Sequence, residues 1–301
     1  MVQLTRRDFI KKMTLAGIGM VFANLRPLSS EVFAQSKAAD IAVASGNDPA
    51  LNTYQVINAL GGIKKFVREG ARVVIKPNIA WNRTPEQAGN TNPEIVAALV
   101  EMCNLAGAGH ISVWDNTCHN SRDTYLRSGI QKAAIEAGAR VHYVNMDNFI
   151  KTKIPGAKFL PEIEIYREVL ECDVFINVPV AKVHGLSTLT LGMKNLMGVI
   201  KDRPVLHDKI HDKLPELHSI IKPHLTVLDA SRILTAHGPQ GGDLKDVKIV
   251  NQVAASTDLV AVDAYGATLF GYQPKDIGFI VRADELGLGD MELSRTRLIK
   301  C

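Results

Sequence analysis

Short apolar runs with amphipathic stretches between them constrain this chain more than any other feature. Arg72-Val73-Val74-Ile75-Lys76, Ile111-Ser112-Val113-Trp114-Asp115, Val174-Phe175-Ile176-Asn177-Val178 and Leu225-Thr226-Val227-Leu228-Asp229 are rich in β-formers, with few polar interruptions. A strand exposed on one face alternates apolar and polar residues; a strand covered on both faces need not. The intervening segments carry helical spacing, as in Val56, Ile57, Leu60, Ile63, Phe66 and Val67. This alternation predicts an α/β fold: a mostly parallel sheet with helices on both faces, in three layers.

The remaining elements obey the same logic. Ile41–Ala44 and Arg140–Val144 are expected strands. Helices are expected over 54–69, from Pro93 to Ala106, from Ser121 or Asp123 to Ala137, over 189–200, from an Asp258 cap through Leu269, and around 274–286. A hairpin or an irregular excursion is expected within 151–165, and a strand pair from 247–250 and 252–255.

The first 34 residues are set apart from this fold. Thr5-Arg6-Arg7-Asp8-Phe9-Ile10-Lys11-Lys12 is a twin-arginine signature, followed by an apolar stretch from Leu15 to Ala23 and a small-residue site at Val32-Phe33-Ala34. The expectation is a Tat signal peptide over 1–34 and one α/β domain over 35–301. The Tat translocase is then a partner during export, and the destination is the periplasm or cell exterior. The apolar stretch is shorter than the ~20 residues a spanning helix needs, so no stable membrane span is expected after cleavage.

Charge excludes one class of partner. The leader holds Arg6, Arg7, Lys11, Lys12 and Arg26 against Asp8 and Glu31, a net +3 of the whole chain's +4, which leaves about +1. No basic surplus remains to drive nucleic-acid binding.

The four cysteines, Cys103, Cys118, Cys172 and Cys301, contain no C-x-x-C pair. There is thus no iron–sulfur motif. Cys103 and Cys172 read as buried free thiols, and a disulfide stays open in an oxidising compartment.

The residues just past each strand carry the functional signal. Lys76-Pro77-Asn78 comes after one strand, Asp115-Asn116-Thr117 and then His119 after another, Pro179, Lys182 and His184 after a third, and Asp229-Ala230-Ser231-Arg232 after a fourth. In parallel sheets ligands bind outside the carboxyl ends of the strands. Four polar endings on one rim point to a ligand site.

Pro179 to Ile200 adds Lys194 and Asn195, and a helix starting near Ser187 or Thr188 would offer free N–H groups to an anion. Gly192 and Gly198 each cost a helix roughly 1 kcal/mol relative to alanine, which implies close approach of a backbone or ligand, or packing against a strand. The loop His237-Gly238-Pro239-Gln240-Gly241-Gly242 could form an anion nest. Asp263 sits at an expected helix start, where the dipole favours an acid. His207 and His211, four residues apart, have metal-ligand spacing if their segment is helical.

These segments together resemble a known family. Val74-Ile75-Lys76-Pro77-Asn78, Asn177 to Gly185, Leu191-Gly192-Met193-Lys194-Asn195-Leu196-Met197-Gly198, Leu228-Asp229-Ala230, Gly238 to Gly242 and Val262-Asp263-Ala264 are similar to the signatures of the domain of unknown function 362. The resemblance runs from about Asp40 to about Gly289. It implies an α/β domain and little defined biochemistry. Some relatives carry a fused ferredoxin-like domain, for which this chain has no cysteine motif. Arg203 to Asp208 is also similar to a short segment of the nickel-pincer lactate racemase family, a span too short to carry function.

The functional expectation is an exported enzyme, its reaction unspecified, that binds an anionic small molecule at the carboxyl rim of the sheet. His184, Lys182 and Lys194 are the expected catalytic groups. Lys76, Asn78, Asp115, Asn195, Asp229, Gly241 and Gly242 are the expected ligand-binding groups, and His207 and His211 the candidate metal ligands. The cofactor is unspecified, a metal or an organic group being compatible. The alternative is a non-catalytic periplasmic ligand- or cofactor-binding module, or one serving metalloenzyme maturation.

Overall fold

In the computed structural model, which describes residues 41–301, twelve strands carry the architecture: β1 (Ile41–Ser45), β2 (Arg72–Pro77), β3 (His110–Val113), β4 (Arg140–Val141), β5 (Phe149–Lys153), β6 (Glu162–Tyr166), β7 (Val174–Val178), β8 (Val180–His184), β9 (Thr188–Thr190), β10 (Leu225–Leu234), β11 (Val247–Ser256) and β12 (Leu298–Lys300). The expected signal peptide lies outside the described residues.

Ten strands form one sheet, in the order β12-β1-β11-β10-β7-β2-β3-β4, with β8 pairing β10 and β9 pairing β8. The stretch from β10 through β7, β2 and β3 to β4 is parallel throughout. The sheet is mostly parallel, as expected. Its antiparallel pairings are β1–β11, β10–β11 and β8–β9. The remaining two strands, β5 and β6, make the expected hairpin.

Both faces are covered. Helices Pro49–Ala59, Pro93–Leu105 and Ile130–Glu136 pack together on one side; helices Ile210–Ile220, Leu259–Thr268 and Gly278–Glu285 pack together on the other. Val43, Val74, Phe175 and Leu228 meet the second group in one buried cluster with Met193, Leu214, Val260 and Phe279. Coverage of both faces explains why β2 is buried at every position after Arg72.

Several boundaries differ from the sequence expectation, each for a local reason. The first helix begins earlier, at Pro49, because the Asp48 carboxylate accepts from Leu51 N at 2.9 Å. It ends at Ala59, and Gly61 and Gly62, both at positive φ, separate it from the tight turn Ile63–Lys65. The helix expected to reach Ala137 breaks at Ser128-Gly129 into Ser121–Arg127 and Ile130–Glu136, with Gly129 at φ 74°. The pair expected over 247–255 is one strand, because β11 is held by β10 on one side and β1 on the other. The fourth strand is only Arg140–Val141. Among the described residues, no helix is long and apolar enough to cross a membrane.

The largest departure lies at the functional rim. Residues 189–200 are not one helix. β7 runs through Pro179 into β8, which turns back as β9; only then does a single helical turn, Gly192–Asn195, lead into the 3-10 turn Leu196–Val199. Both β7 and β8 pair with the long β10, and Pro179 O accepts from Asp229 N at 2.8 Å at their junction.

Candidate functional site

The carboxyl ends of β2, β3 and β8 open into one cavity of about 390 Å3. Lys76, Asn78, Asp115, Lys182, His184, Lys194, Asn195 and His207 all line it. The structure therefore brings together eight of the twelve candidate site residues.

A buried polar chain forms the floor. Lys76 Nζ pairs with Asp115 Oδ1 at 2.8 Å, with both side chains almost fully buried. The same ammonium donates to Pro77 O at 2.7 Å and to Asn195 Oδ1 at 2.9 Å, which uses all three of its donors. Asn78 Nδ2 donates to the same Asn195 oxygen at 3.1 Å. Lys182 Nζ donates to Asn78 Oδ1 at 3.1 Å and to Gly89 O at 2.6 Å. Asn195 Nδ2 donates to Asn177 Oδ1 at 2.9 Å, and Asn177 Nδ2 to Gly192 O at 3.1 Å. The other Asp115 oxygen accepts from Ile79 N at 2.7 Å and thereby fixes the loop after β2. Such a network is stable only when nearly every member is paired.

The floor explains the two glycines that are conspicuous in the sequence. A Cβ on Gly198 would sit 1.9 Å from Asp115 Oδ1 and 2.5 Å from Lys76 Cε. A Cβ on Gly192 would sit 2.3 Å from Leu259 Cδ1 and 2.7 Å from Asp263 Oδ1. The approach is by neighbouring side chains.

Asp263 corrects two expectations. It lies within helix Leu259–Thr268, one turn beyond the Asp258 cap. Its carboxylate accepts from Gly192 N at 2.6 Å and Met193 N at 2.9 Å. The N–H groups expected to meet an anion are thus already satisfied by the protein. Burial raises the Asp263 pKa to about 7, against the two backbone donors that lower it.

Above the floor the cavity is cationic. Lys194 is largely buried and lines it, and among the described residues its ammonium makes no hydrogen bond or ion pair. Burial lowers its pKa to about 8, and that of Lys182 to about 7. Burial, reinforced by Lys194 and Lys182, depresses His184 to about 3, so its imidazole is neutral at ordinary pH. His184 Nδ1 accepts from Leu186 N at 3.0 Å and Ser187 N at 3.3 Å, which puts the ring proton on Nε2. His184 is therefore a neutral hydrogen-bond donor rather than an acid titrating near neutrality.

Arg203, also in the lining, donates to Asn116 O and to Thr117 O, the latter at 2.8 Å. Of the lining side chains, Lys76, Lys182, Lys194 and Arg203 are basic and Asp115 alone is acidic; it is committed to Lys76.

Other expected site residues lie elsewhere. Asp229 does not line the cavity: buried, it accepts from Asn92 N at 2.7 Å, Ser231 N at 2.9 Å and Ser231 Oγ at 2.6 Å. Those bonds hold the start of helix Pro93–Leu105 against β10. Gly241 and Gly242 present carbonyls rather than N–H groups: Gly241 O accepts from Arg83 Nη2 at 3.0 Å, and Gly242 O from Gln87 Nε2 at 2.7 Å. From this loop Pro239 reaches the cavity, while His237 Nδ1 meets Asp246 Oδ2 at 2.8 Å.

The two histidines at metal-ligand spacing are separated. His207 belongs to the 3-10 turn Pro204–Lys209 and lines the cavity; His211 begins helix Ile210–Ile220 and stacks on Phe279, 6.3 Å between centroids. Without one continuous helix they share no face. Among the described residues, no three His, Cys, Asp or Glu side chains converge as a metal site.

The cavity also holds groups that strand-end reasoning passed over: Trp81, Cys118, Thr190 and Arg203. Cys118 and His119 come after β3 within the same segment as Asp115, and their N–H groups donate to Ala80 O at 3.0 and 3.1 Å. Cys118 lies between Thr117 and His119, inside the stretch already read after that strand, and only its thiol side chain distinguishes it there. Arg203 figures in the sequence only as the start of the short segment similar to the lactate racemase family; no strand end marks it, and it arrives from a distant turn.

The family model described as a domain of unknown function, DUF362, matches residues 73–268, a span that contains every residue of the polar chain. The chain is 27% identical over 250 residues to the thylakoid-associated protein sll1697 of Synechocystis sp., covering 77% of this chain and 73% of that protein. Among solved structures it matches the lactate racemase apoprotein from Thermoanaerobacterium thermosaccharolyticum with a TM-score of 0.41 at 11% identity, over 74% of this chain. A Thermotoga maritima protein from a structural genomics programme matches with a TM-score of 0.43 at 10% identity, over 76% of this chain. The chain spans 55% and 60% of the lengths of these two solved proteins.

Proposed function

This chain belongs to the DUF362 family, and within that family we propose that its lysine-lined cavity binds a small carboxylate- or phosphate-bearing anion and exchanges a proton with it. The observation that carries this reading is Lys194: a largely buried ammonium with no protein partner among the described residues, in a cavity whose single carboxylate is already paired. An unpaired buried cation is costly, and an incoming anion removes that cost.

The roles derive from the protonation states. Lys194, with a pKa of about 8, pairs with the anion as ammonium and exchanges a proton as amine. Lys182, at about 7, is anchored by Asn78 and Gly89 and supplies the second poised amine. His184 donates a neutral hydrogen bond from Nε2. The Asp115–Lys76–Asn195 chain holds these groups in place and stays out of the chemistry.

Calorimetric titration with oxalate and with inorganic phosphate tests the binding step. The expected result is saturable binding by the parent chain, weakened about tenfold or more in Lys194→Gln, the scale on which losing a charge-assisted contact of about 1.5–3 kcal/mol registers. Failure of both probes to bind, or equal binding by the variant, would sink the proposal. The proposed setting is outside the cytoplasm, with the folded chain exported behind its twin-arginine leader; Arg6→Lys/Arg7→Lys would then leave the protein in the cytoplasmic fraction.

A further inference from the structure

The cavity contains a thiol that the roles above leave unused. Cys118 is exposed to solvent, yet lines the same cavity as Lys182 and Lys194. Its backbone N–H donates to Ala80 O at 3.0 Å, and Arg203 Nη2 clasps the preceding carbonyl, Thr117 O, at 2.8 Å. The thiol is thus presented at a fixed point of the wall. Lys182 and Lys194 line the same cavity space as this thiol.

A second feature of the lining independently points to an occupant. Thr190 is 4% exposed and lines the cavity, and among the described residues its hydroxyl has no hydrogen-bond partner. A buried hydroxyl left unpaired is unfavourable, and a ligand oxygen in the cavity would satisfy it.

Resting on the anion-binding reading, we propose that Cys118 is the cavity's nucleophile: its thiolate attacks the electrophilic carbon of a short carboxylate whose anionic group is held by Lys194. In the step, the Sγ–carbon bond forms while the bond from that carbon to its leaving group breaks, and the leaving group departs with the electron pair. Before the attack, the thiol proton passes to the Lys194 amine, and the resulting ammonium holds the carboxylate while the thiolate attacks. No oxidant or further reactant is needed. The thiolate is the reactive form, and cations lining the same cavity gather anionic electrophiles.

Site-resolved alkylation of the full-length protein tests this. Iodoacetate supplies the carboxylate electrophile and iodoacetamide its neutral counterpart. Cys301, also exposed, is the internal reference. The expected result is an iodoacetate-to-iodoacetamide rate ratio at Cys118 about tenfold or more above that at Cys301, within the range of electrostatic rate enhancement in charged clefts. Lys194→Gln should bring the two ratios together. Equal ratios in the parent chain, or a preference at Cys118 untouched by Lys194→Gln, would overturn the proposal. Oxalate titration of Cys118→Ser separates the two levels. If this variant binds oxalate while the parent shows no Cys118 preference, the covalent step alone is wrong; if neither protein binds oxalate, the underlying anion site is wrong as well.

Discussion

Asp115→Ala is expected to destabilise the protein by about 3–5 kcal/mol, the cost of leaving a buried charge uncompensated. Among the described residues, the substitution strips Lys76 of its one carboxylate partner and orphans Ile79 N. Burial already lowers the Lys76 pKa, and Asp115 is the chief influence that raises it. Without Asp115, Lys76 in the folded chain binds fewer protons than in the unfolded chain at pH values below the ordinary lysine pKa. Stability of the variant should therefore rise with pH from 7 toward 10. Urea denaturation at several pH values reads both effects. The double variant Lys76→Met/Asp115→Leu, which removes the charges together, should be more stable than Asp115→Ala alone. A loss below about 1 kcal/mol in the single variant, the range of an exposed pair, would show that the ion pair does not hold the floor.

Gly198→Ala should be nearly as damaging although it adds a single methyl group. That methyl would fall 1.9 Å from Asp115 Oδ1 and 2.7 Å from Lys76 Nζ, so either the pair separates or the 3-10 turn Leu196–Val199 moves. Overpacking a close-packed site costs about 1–3 kcal/mol, and here disruption of the ion pair adds to it. Oxalate binding should fall with stability, since Lys194 and Asn195 lie on the same short segment. Gly185→Ala is the control: among the described residues, none beyond its chain neighbours lies within 4 Å of the added atom, and the residue comes directly after His184. Its stability should stay within about 0.5 kcal/mol of the parent. Comparable stability of the two variants would contradict the packing described for Gly198.

The sheet and the rim are legible in the sequence because each rests on a local rule. Consecutive apolar residues such as Val73, Val74 and Ile75 require coverage on both faces, and parallel strands then place the residues after them on one edge. That rule puts Lys76, Asn78, Asp115, Lys182 and His184 together without any coordinates. Gly192 and Gly198 are legible as close-approach points but their neighbours are not, since Asp263 and Asp115 come from distant parts of the chain.

The same distance explains the misreading of 189–200. Its apolar spacing fits a helix, yet pairing of β8 with β10 and β9 claims its first residues, and Asp263 caps the short turn that remains. Asp229 misleads for a related reason: it ends an apolar run as Asp115 does, but β10 continues beyond it and the carboxylate faces Asn92 and Ser231. A residue after a short strand reaches the rim; one inside a long strand does not. His207 and His211 show the limit of spacing alone, since four residues place two side chains on one face only within a single helix.

Proton linkage of anion binding puts the role of Lys194 to the sharpest trial. Oxalate titrations between pH 7 and 9, in buffers of different ionisation enthalpy, report how many protons enter with the anion. Lys194 has a pKa of about 8 in the free protein, and a bound anion raises it. Affinity is thus full below that pKa and is lost as pH rises above it. Net proton uptake should grow from pH 7 to 9, with affinity falling about tenfold per pH unit above 8 and the linkage diminished in Lys194→Gln. Binding that is independent of pH, or that releases protons, would mean that Lys194 does not receive the anion.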